Sequence, residues 1–142
     1  DDGKCLILKR DEREKVHPGK WAVPGGKLEH GDLDLKNPTR LNGDVIDFEG
    51  MVRQLLRRET KEEAGIELGD DFRMLCDIVF VRPDGIPVVL LQFAADYAGG
   101  EVQPEEGAFT DAAWVNAEDV KQYDCIDGIQ DEVARTIALF SA

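Results

Sequence analysis

Three glutamates stand out by their spacing. A helical wheel over 51–64 (MVRQLLRRETKEEA), turned by about 100° per residue, gathers Met51, Val52, Leu55 and Leu56 into one apolar stripe. Glu59, Glu62 and Glu63 continue that stripe at about 0°, −60° and +40° in the last turns, while Arg57 and Lys61 point the opposite way and Arg58 flanks. A face that begins as core therefore ends as carboxylates. Like charges three and four residues apart repel, and acids at a helix C-terminus oppose the macrodipole, so local stability does not select this pattern. A hard divalent cation reverses both terms: Mg²⁺ takes oxygen ligands and is typically held by one or two carboxylates plus substrate phosphates. The chemistry indicated is metal-assisted work on a phosphate. The plainer alternative, a solvated acidic end of a surface helix, leaves the shared stripe unexplained.

A second feature lies upstream. The short apolar segment Trp21-Ala22-Val23 stops at Pro24-Gly25-Gly26, where the missing proline amide and the freedom of two glycines allow a sharp turn and close backbone approach to a ligand. It is not a kinase-type phosphate loop, because Lys27 is followed by Leu28 and position 21 is Trp where the first glycine belongs. His17 and His30 are isolated, which leaves a histidine zinc site unsupported. Cys5, Cys76 and Cys125 are odd in number and form no Cys-x-x-Cys pair, so neither a disulfide framework nor a thiolate zinc site is indicated, and a reducing, cytoplasmic setting is expected.

The segment Arg58-Glu59-Thr60-Lys61-Glu62-Glu63-Ala64-Gly65-Ile66 resembles the Arg-Glu-U-x-Glu-Glu-x-Gly-U half of the Nudix box, where U is apolar. Trp21-Ala22-Val23-Pro24-Gly25-Gly26-Lys27-Leu28-Glu29-His30-Gly31-Asp32 is similar to the lead-in of the same family. Two departures stand. The box runs Gly-x5-Glu-x7-Arg-Glu, whereas Gly26-x5 reaches Asp32, with 25 residues rather than seven before Arg58, an insertion of 18. The register Gly43-x5-Glu49 misses by one residue but discards the Pro-Gly-Gly context, so Asp32 and Glu49 both stand as replacements for the box glutamate. Thr60 takes a position that is usually apolar, and the wheel places it at the periphery.

The resemblance implies an α/β/α sandwich and hydrolysis of a diphosphate linkage in a nucleoside diphosphate derivative, a nucleoside triphosphate, ADP-ribose or similar, by metal-activated water. It implies Mg²⁺, with Mn²⁺ as substitute, on Glu59, Glu62 and Glu63, with Glu63 foremost and the Gly25 carbonyl as a further ligand. Arg58 would orient the carboxylates. Glu59 is the first choice of general base, and Glu105 and Glu106, in the loop ahead of Trp114, are candidates for that role or for another metal ligand. Arg10 and Lys27, at the ends of segments that flank the turn, and Gly26 within it are the candidates to contact substrate, with a plain surface cation as the alternative reading of Arg10 and of Lys27. Pro83, 17 residues beyond Ile66, stands near a proline of some ADP-ribose-cleaving relatives. The competing reading is a Nudix-like module that senses a nucleotide without cleaving it, against which the intact glutamate trio speaks.

The elements that must position these residues follow from pattern. Cys5 to Arg10 reads as a buried strand, and Trp21 to Val23 as another. Residues 31–47 show neither period and read as a long surface excursion, whose part from Leu33 to Asp47 is the insertion, with a substrate lid, a dimer contact and a merely tolerated surface loop as its alternative readings. A helix is expected from Asp47, as N-cap, to Ala64, with Gly65 as its left-handed cap. Phe72 to Arg82 and Pro87 to Tyr97 flank Pro83-Asp84-Gly85 and predict an antiparallel hairpin, on which alternation assigns most of Phe80, Arg82, Phe93 and Tyr97 to the core. Gly99 to Asp111 reads as a polar loop, Ala113 to Val115 as a short strand, and Asn116 as the cap of a brief helix. Asp127 opens a last helix with the core stripe Ile129, Val133, Ile137 and Phe140. The class is α/β (α+β), with a mixed sheet between helices.

The 142 residues make one domain. Seventeen Lys and Arg against thirty Asp and Glu give a formal charge of −13, which disfavours nucleic acid polymers and anionic membranes as partners but not a small phosphorylated ligand beside a bound cation. No apolar run approaches a membrane span of roughly 18 residues, and a soluble protein is expected. Asp-Gly at the start is a hairpin turn signal that leads one to expect a further strand ahead of it.

Overall fold

The computed structural model describes residues 2–142. In order it contains β1 (Cys5–Arg10), β2 (Trp21–Ala22), a 3-10 turn (His30–Asp32), β3 (Arg40–Asn42), β4 (Val45–Asp47), α1 (Met51–Ala64), β5 (Ile66–Val81), β6 (Pro87–Gly100), β7 (Phe109–Val115), a second 3-10 turn (Asp119–Gln122) and α2 (Ile129–Ser141). A strand ahead of the Asp2-Gly3 turn lies outside the described residues.

β1 is the middle of a three-stranded sheet, β2-β1-β7, and is antiparallel to both neighbours. Its side chains alternate between two cores. Leu6 and Leu8 join Ala64, Ile66 and Phe109 on one face, with Tyr97 and Trp114 packed alongside. Ile7 joins Val115, Val120, Ile129 and Val133 on the other. The last turn of α1 therefore covers one face and α2 the other, which is the expected sandwich and the reason β1 reads as an unbroken apolar run. A parallel bridge between Trp21 and Cys125 adds the returning chain to the edge of this sheet. α2 begins at Ile129 behind Gly128, at φ +98°, two residues later than Asp127 suggested. The brief helix expected behind Asn116 is the shorter 3-10 turn Asp119–Gln122, whose N-cap is Glu118, and the Asn116 Oδ1 accepts the Glu118 and Asp119 amides ahead of it at 2.8 Å.

β5 and β6 form one long antiparallel hairpin, from Val81↔Pro87 at the turn to Ile66↔Gly100 at the base. Both strands outrun the expected limits, because register shifts after Glu67, Leu68 and Met74 absorb the glycines and aspartates without ending the ladder. Of the aromatic residues assigned to the core, Phe80 is exposed and Phe93 and Tyr97 are half-buried. β7 starts at Phe109, inside what read as loop. The insertion is also more ordered than its composition suggested: β3 and β4 pair across Gly43-Asp44, with Gly43 at φ +62°. Glycine at the first position of a two-residue loop is a hairpin signal, and the flanking strands are too short and too exposed to show a period. Among the described residues no helix is long and apolar enough to cross a membrane.

Candidate active site

α1 carries the site, and its ends fix where its glutamates stand. It starts at Met51 behind Gly50, at φ +78°. Asp47, the expected N-cap, instead belongs to β4 and pairs with Arg40 at 2.9 Å. At the other end Gly65, at φ +77°, donates its amide to the Lys61 carbonyl at 3.0 Å, as the spacing required. The buried residues of α1 are Leu55, Thr60 and Ala64. Thr60, expected at the periphery, is only 7% exposed. The core stripe is thus rotated away from Glu62, which stands exposed, while Glu59 and Glu63 stay half-buried on the packed side.

A helix end leaves backbone carbonyls unpaired, and here the chain that follows β6 supplies the donors. The Gln103 amide donates to the Ala64 carbonyl at 2.8 Å and the Glu105 amide to the Glu63 carbonyl at 2.9 Å. Pro104, which has no amide, falls between them. This strap brings Glu105 close enough for its charge to act on Glu63. Glu106 lies within electrostatic reach of Arg13 instead.

The Pro-Gly-Gly turn closes the site from the opposite side. The Gly25 amide donates to Glu63 Oε2 at 2.9 Å, so it is the N–H of Gly25 that the structure places at this carboxylate. A Cβ on Gly26 would stand 2.5 Å from Glu59 Cγ and Cδ, and the absent side chain makes room for that carboxylate. Burial pushes Glu63 up to about 7, and the charges of Glu59 and Glu105 add to this, while the Gly25 amide and the charge of Arg10 act against it. A carboxyl held beside other carboxyls in a partly dry place is a functional-site signature.

Arg58 binds Asp32 Oδ1 through Nη1 at 2.8 Å and reaches Glu59 Oε1 through Nη2 at 3.4 Å. Asp32 also accepts the Glu29 amide at 2.8 Å, and these two donors hold its carboxyl below the usual range. Glu49 pairs with Arg40 at 3.2 Å. Of the two acids left open by the spacing, Asp32 is the one bonded to Arg58. Arg10 is fixed by Val16 O at 2.9 Å and Glu14 at 3.3 Å with its charge acting on Glu63, whereas Lys27 is exposed.

One residue was not singled out by spacing: Asp11, 6% exposed, accepts the Arg13 amide and guanidinium at 2.8–2.9 Å, which holds its carboxyl down to about 2. The Asp11 amide donates to Ala108 O at 2.9 Å and ties the end of β1 to the chain just past Glu105 and Glu106. The Asp-x-Arg pattern after an apolar strand is the signal that would have found it.

The carboxylates on this side of the helix offer hard oxygens, the set that Mg²⁺ and Mn²⁺ accept, and the recess at Gly26 admits Glu59 against the backbone. Among the described residues no three His, Cys, Asp or Glu side chains meet at coordinating distance of one point. Like charges separate unless something joins them, and here Glu59 leans to Arg58 and Glu63 to the Gly25 amide.

No protein-family model matches the chain. It is 31% identical over 134 residues to nucleoside triphosphatase NudI of Escherichia coli K12, a match spanning 87% of this chain and 81% of that protein. Its fold is similar to a MutT NUDIX hydrolase from Burkholderia pseudomallei (TM-score 0.65, 22% identity, 95% of this chain and 89% of the other). It is also similar to the NUDIX domain of Shewanella oneidensis NrtR complexed with ADP ribose (TM-score 0.67, 16% identity, 96% and 77%). Sequence kinship over most of both chains, on a fold that brings a glutamate-bearing helix under a Pro-Gly-Gly turn, makes this chain a member of the Nudix hydrolase family.

Proposed function

We propose that the protein hydrolyses a diphosphate linkage in a small nucleoside diphosphate derivative, with a nucleoside triphosphate as the first candidate and ADP-ribose as the second. The observation that carries this reading is Glu63, half-buried, bound to the Gly25 amide and within reach of the charges of Glu59 and Glu105. A relative above 30% identity is named a nucleoside triphosphatase, and a structural neighbour holds ADP ribose, which supports the substrate class.

Glu59, Glu62 and Glu63, with the Gly25 carbonyl as a further ligand, would hold Mg²⁺ or Mn²⁺. When bound, the ion neutralises phosphate charge and makes a water more acidic. The chain's own residues do the rest. Glu63 is oriented by the Gly25 amide. Glu59 accepts the proton of the attacking water, and its partner Arg58, braced by Asp32, aims it. Glu105 is the alternative base, set beside Glu63 by the strap over α1, and Glu106 stands one residue behind it. Arg10 offers positive charge to a phosphate oxygen on the side of Glu63, and Lys27 and the Gly26 backbone border the same space.

The reading goes with the reducing, cytoplasmic setting expected from three cysteines without a Cys-x-x-Cys pair, and with a net charge of −13 that turns away polyanions. The purified protein is incubated with Mg²⁺ and a panel of nucleoside triphosphates, ADP-ribose, nucleotide sugars and dinucleoside polyphosphates, and products are identified by chromatography. Cleavage at a diphosphate, lost in Glu63→Gln, is the expected result. Tight binding of one member with no turnover of any would replace hydrolysis by sensing.

A further inference from the structure

The turn that follows β1 pairs a buried acid with an exposed base. Asp11 is 6% exposed, yet Oδ1 of its carboxylate accepts the Arg13 amide and Nε–H and Oδ2 accepts Nη2–H, at 2.8–2.9 Å. The arginine side chain itself is 78% exposed. A guanidinium carries five N–H donors in a rigid fork. Asp11 takes two of them along the Nε–Nη2 edge, which leaves three for the Nη1–Nη2 edge. Among the described residues Asp11 is the one ion-pair partner of Arg13. Closing the turn does not call for this arrangement, because Asn at position 11 would accept the same backbone amide without a buried charge. A buried carboxylate gripping one edge of an exposed guanidinium does something else: it fixes the direction of the opposite edge.

The turn is knitted to the loop that carries the acids of the site. The Asp11 amide donates to Ala108 O at 2.9 Å, and the Ala108 and Phe109 amides donate to Glu105 O at 3.2 and 3.0 Å. Arg10 acts by its charge on Glu63 and Arg13 on Glu106, so the two arginines serve two sides of that loop. They differ in what they have left to offer, since Arg10 is held by Val16 O through Nε and by Glu14 through Nη2, whereas Arg13 keeps a whole edge. A guanidinium edge matches two oxygens of one phosphate with parallel, charge-assisted bonds. A diphosphate at Glu59 and Glu63 is served by the charge of Arg10, and a further phosphate reaching past Glu105 and Glu106 needs a cation there, in a chain of net charge −13. We propose that the free edge of Arg13 binds the terminal phosphate of a three-phosphate substrate, an assignment that rests on the hydrolase reading above and chooses the nucleoside triphosphate over ADP-ribose.

Wild type, Arg13→Gln and Arg13→Lys are compared in Mg²⁺ on the nucleoside triphosphate of the panel that is cleaved fastest, with the matching nucleoside diphosphate as competitive inhibitor. Arg13→Gln should raise KM for the triphosphate about tenfold, the effect falling on KM rather than kcat, and should leave the inhibition constant of the diphosphate within twofold. Arg13→Lys, which keeps the charge and loses the fork, should fall between. An arginine that only braces the turn would instead weaken both ligands alike and lower the melting temperature with them. Binding is separated from chemistry by calorimetric titration of ATP and ADP into Glu63→Gln, with and without Arg13→Gln. The added change should weaken ATP about tenfold and ADP little. That difference in a protein that cleaves no nucleotide would end the hydrolase reading and uphold the assignment of Arg13. Turnover of a triphosphate that Arg13→Gln leaves unchanged, or equal losses for three and two phosphates, overturns the assignment and leaves hydrolysis standing. A wild type that cleaves ADP-ribose and no triphosphate overturns it as well.

Discussion

Removing the charge of Glu63 should stabilise the metal-free protein at neutral pH while abolishing its chemistry. Its carboxyl is raised from 4.5 to about 7, foremost by burial and then by Glu59 and Glu105. A raised carboxyl pKa means that the folded state binds the proton more tightly than the unfolded chain. The stability this confers is complete below about pH 4.5, falls through the window from 4.5 to 7, and is gone above it. At about 1.4 kcal/mol per unit the whole shift bounds the penalty near 3 kcal/mol. The carboxylate is only partly buried, and screening by solvent reduces this to about 1–2 kcal/mol. Gln keeps an oxygen to accept the Gly25 amide. Glu63→Gln without metal should therefore melt about 3–7 °C above wild type at pH 8 and close to it at pH 4.5. Scanning calorimetry or fluorescence melts at the two pH values, in chelator, decide the matter. Adding Mg²⁺ at pH 8 should raise the wild type more than the variant. A variant that melts below wild type at pH 8, or a gap that does not shrink at low pH, would refute the electrostatic reasoning.

Other outcomes follow from the same geometry. Gly26→Ala places a methyl group 2.5 Å from the Glu59 carboxyl and should lower kcat on the order of a hundredfold with little change in melting temperature, as steady-state kinetics and a melt would show. Gly65→Ala forces φ +77° on an L residue and sets its Cβ 2.7 Å from Glu101 O, so it should cost about 1–3 kcal/mol in urea unfolding. Asp32→Ala should lower turnover by releasing Arg58, whereas Glu49→Ala, which loses only a pairing with Arg40, should leave kcat unchanged. Glu105→Gln and Glu106→Gln, compared by pH–rate profile, should differ, with only the first altering the profile, because Glu105 alone has its charge on Glu63.

Much of this was legible in the chain because the signals were local. Gly65 as a left-handed cap and Pro83-Asp84-Gly85 as the hairpin turn depend on backbone sterics that a short window contains. The alternation of β1 between two cores was hidden in a run too short to show more than burial. The start of α1 was misplaced because Asp47 has the right side chain for a cap, yet its strand pairing with Arg40 prevailed and left Gly50 to turn the corner. The exposure of Glu62 and burial of Thr60 depend on how α1 rolls against β5, which no wheel specifies. Glu105 was named only as one of two acids in a loop. That Glu105, and not Glu106, lies beside Glu63 depends on which amides reach the helix end, a property of the folded path. The outer β5–β6 hairpin, exposed at Val79, Val81 and Val89, inverts a sequence rule: β-branched alternation marks a buried strand only if something arrives to bury it.

The amides of Gln103 and Glu105 complete α1 and also set an acid in place, so these five residues, 101–105, constrain attempts to change what the enzyme accepts. Grafted loops that keep donors at positions 103 and 105 would retain both helix and acid, and proline is tolerated at 104 because that position donates nothing. Proline at 103 or 105 would fray the last turn and misplace the acid in one stroke. Variation aimed at new substrates therefore belongs beyond Glu106 or in the insertion, where backbone and chemistry are not bound to the same hydrogen bonds.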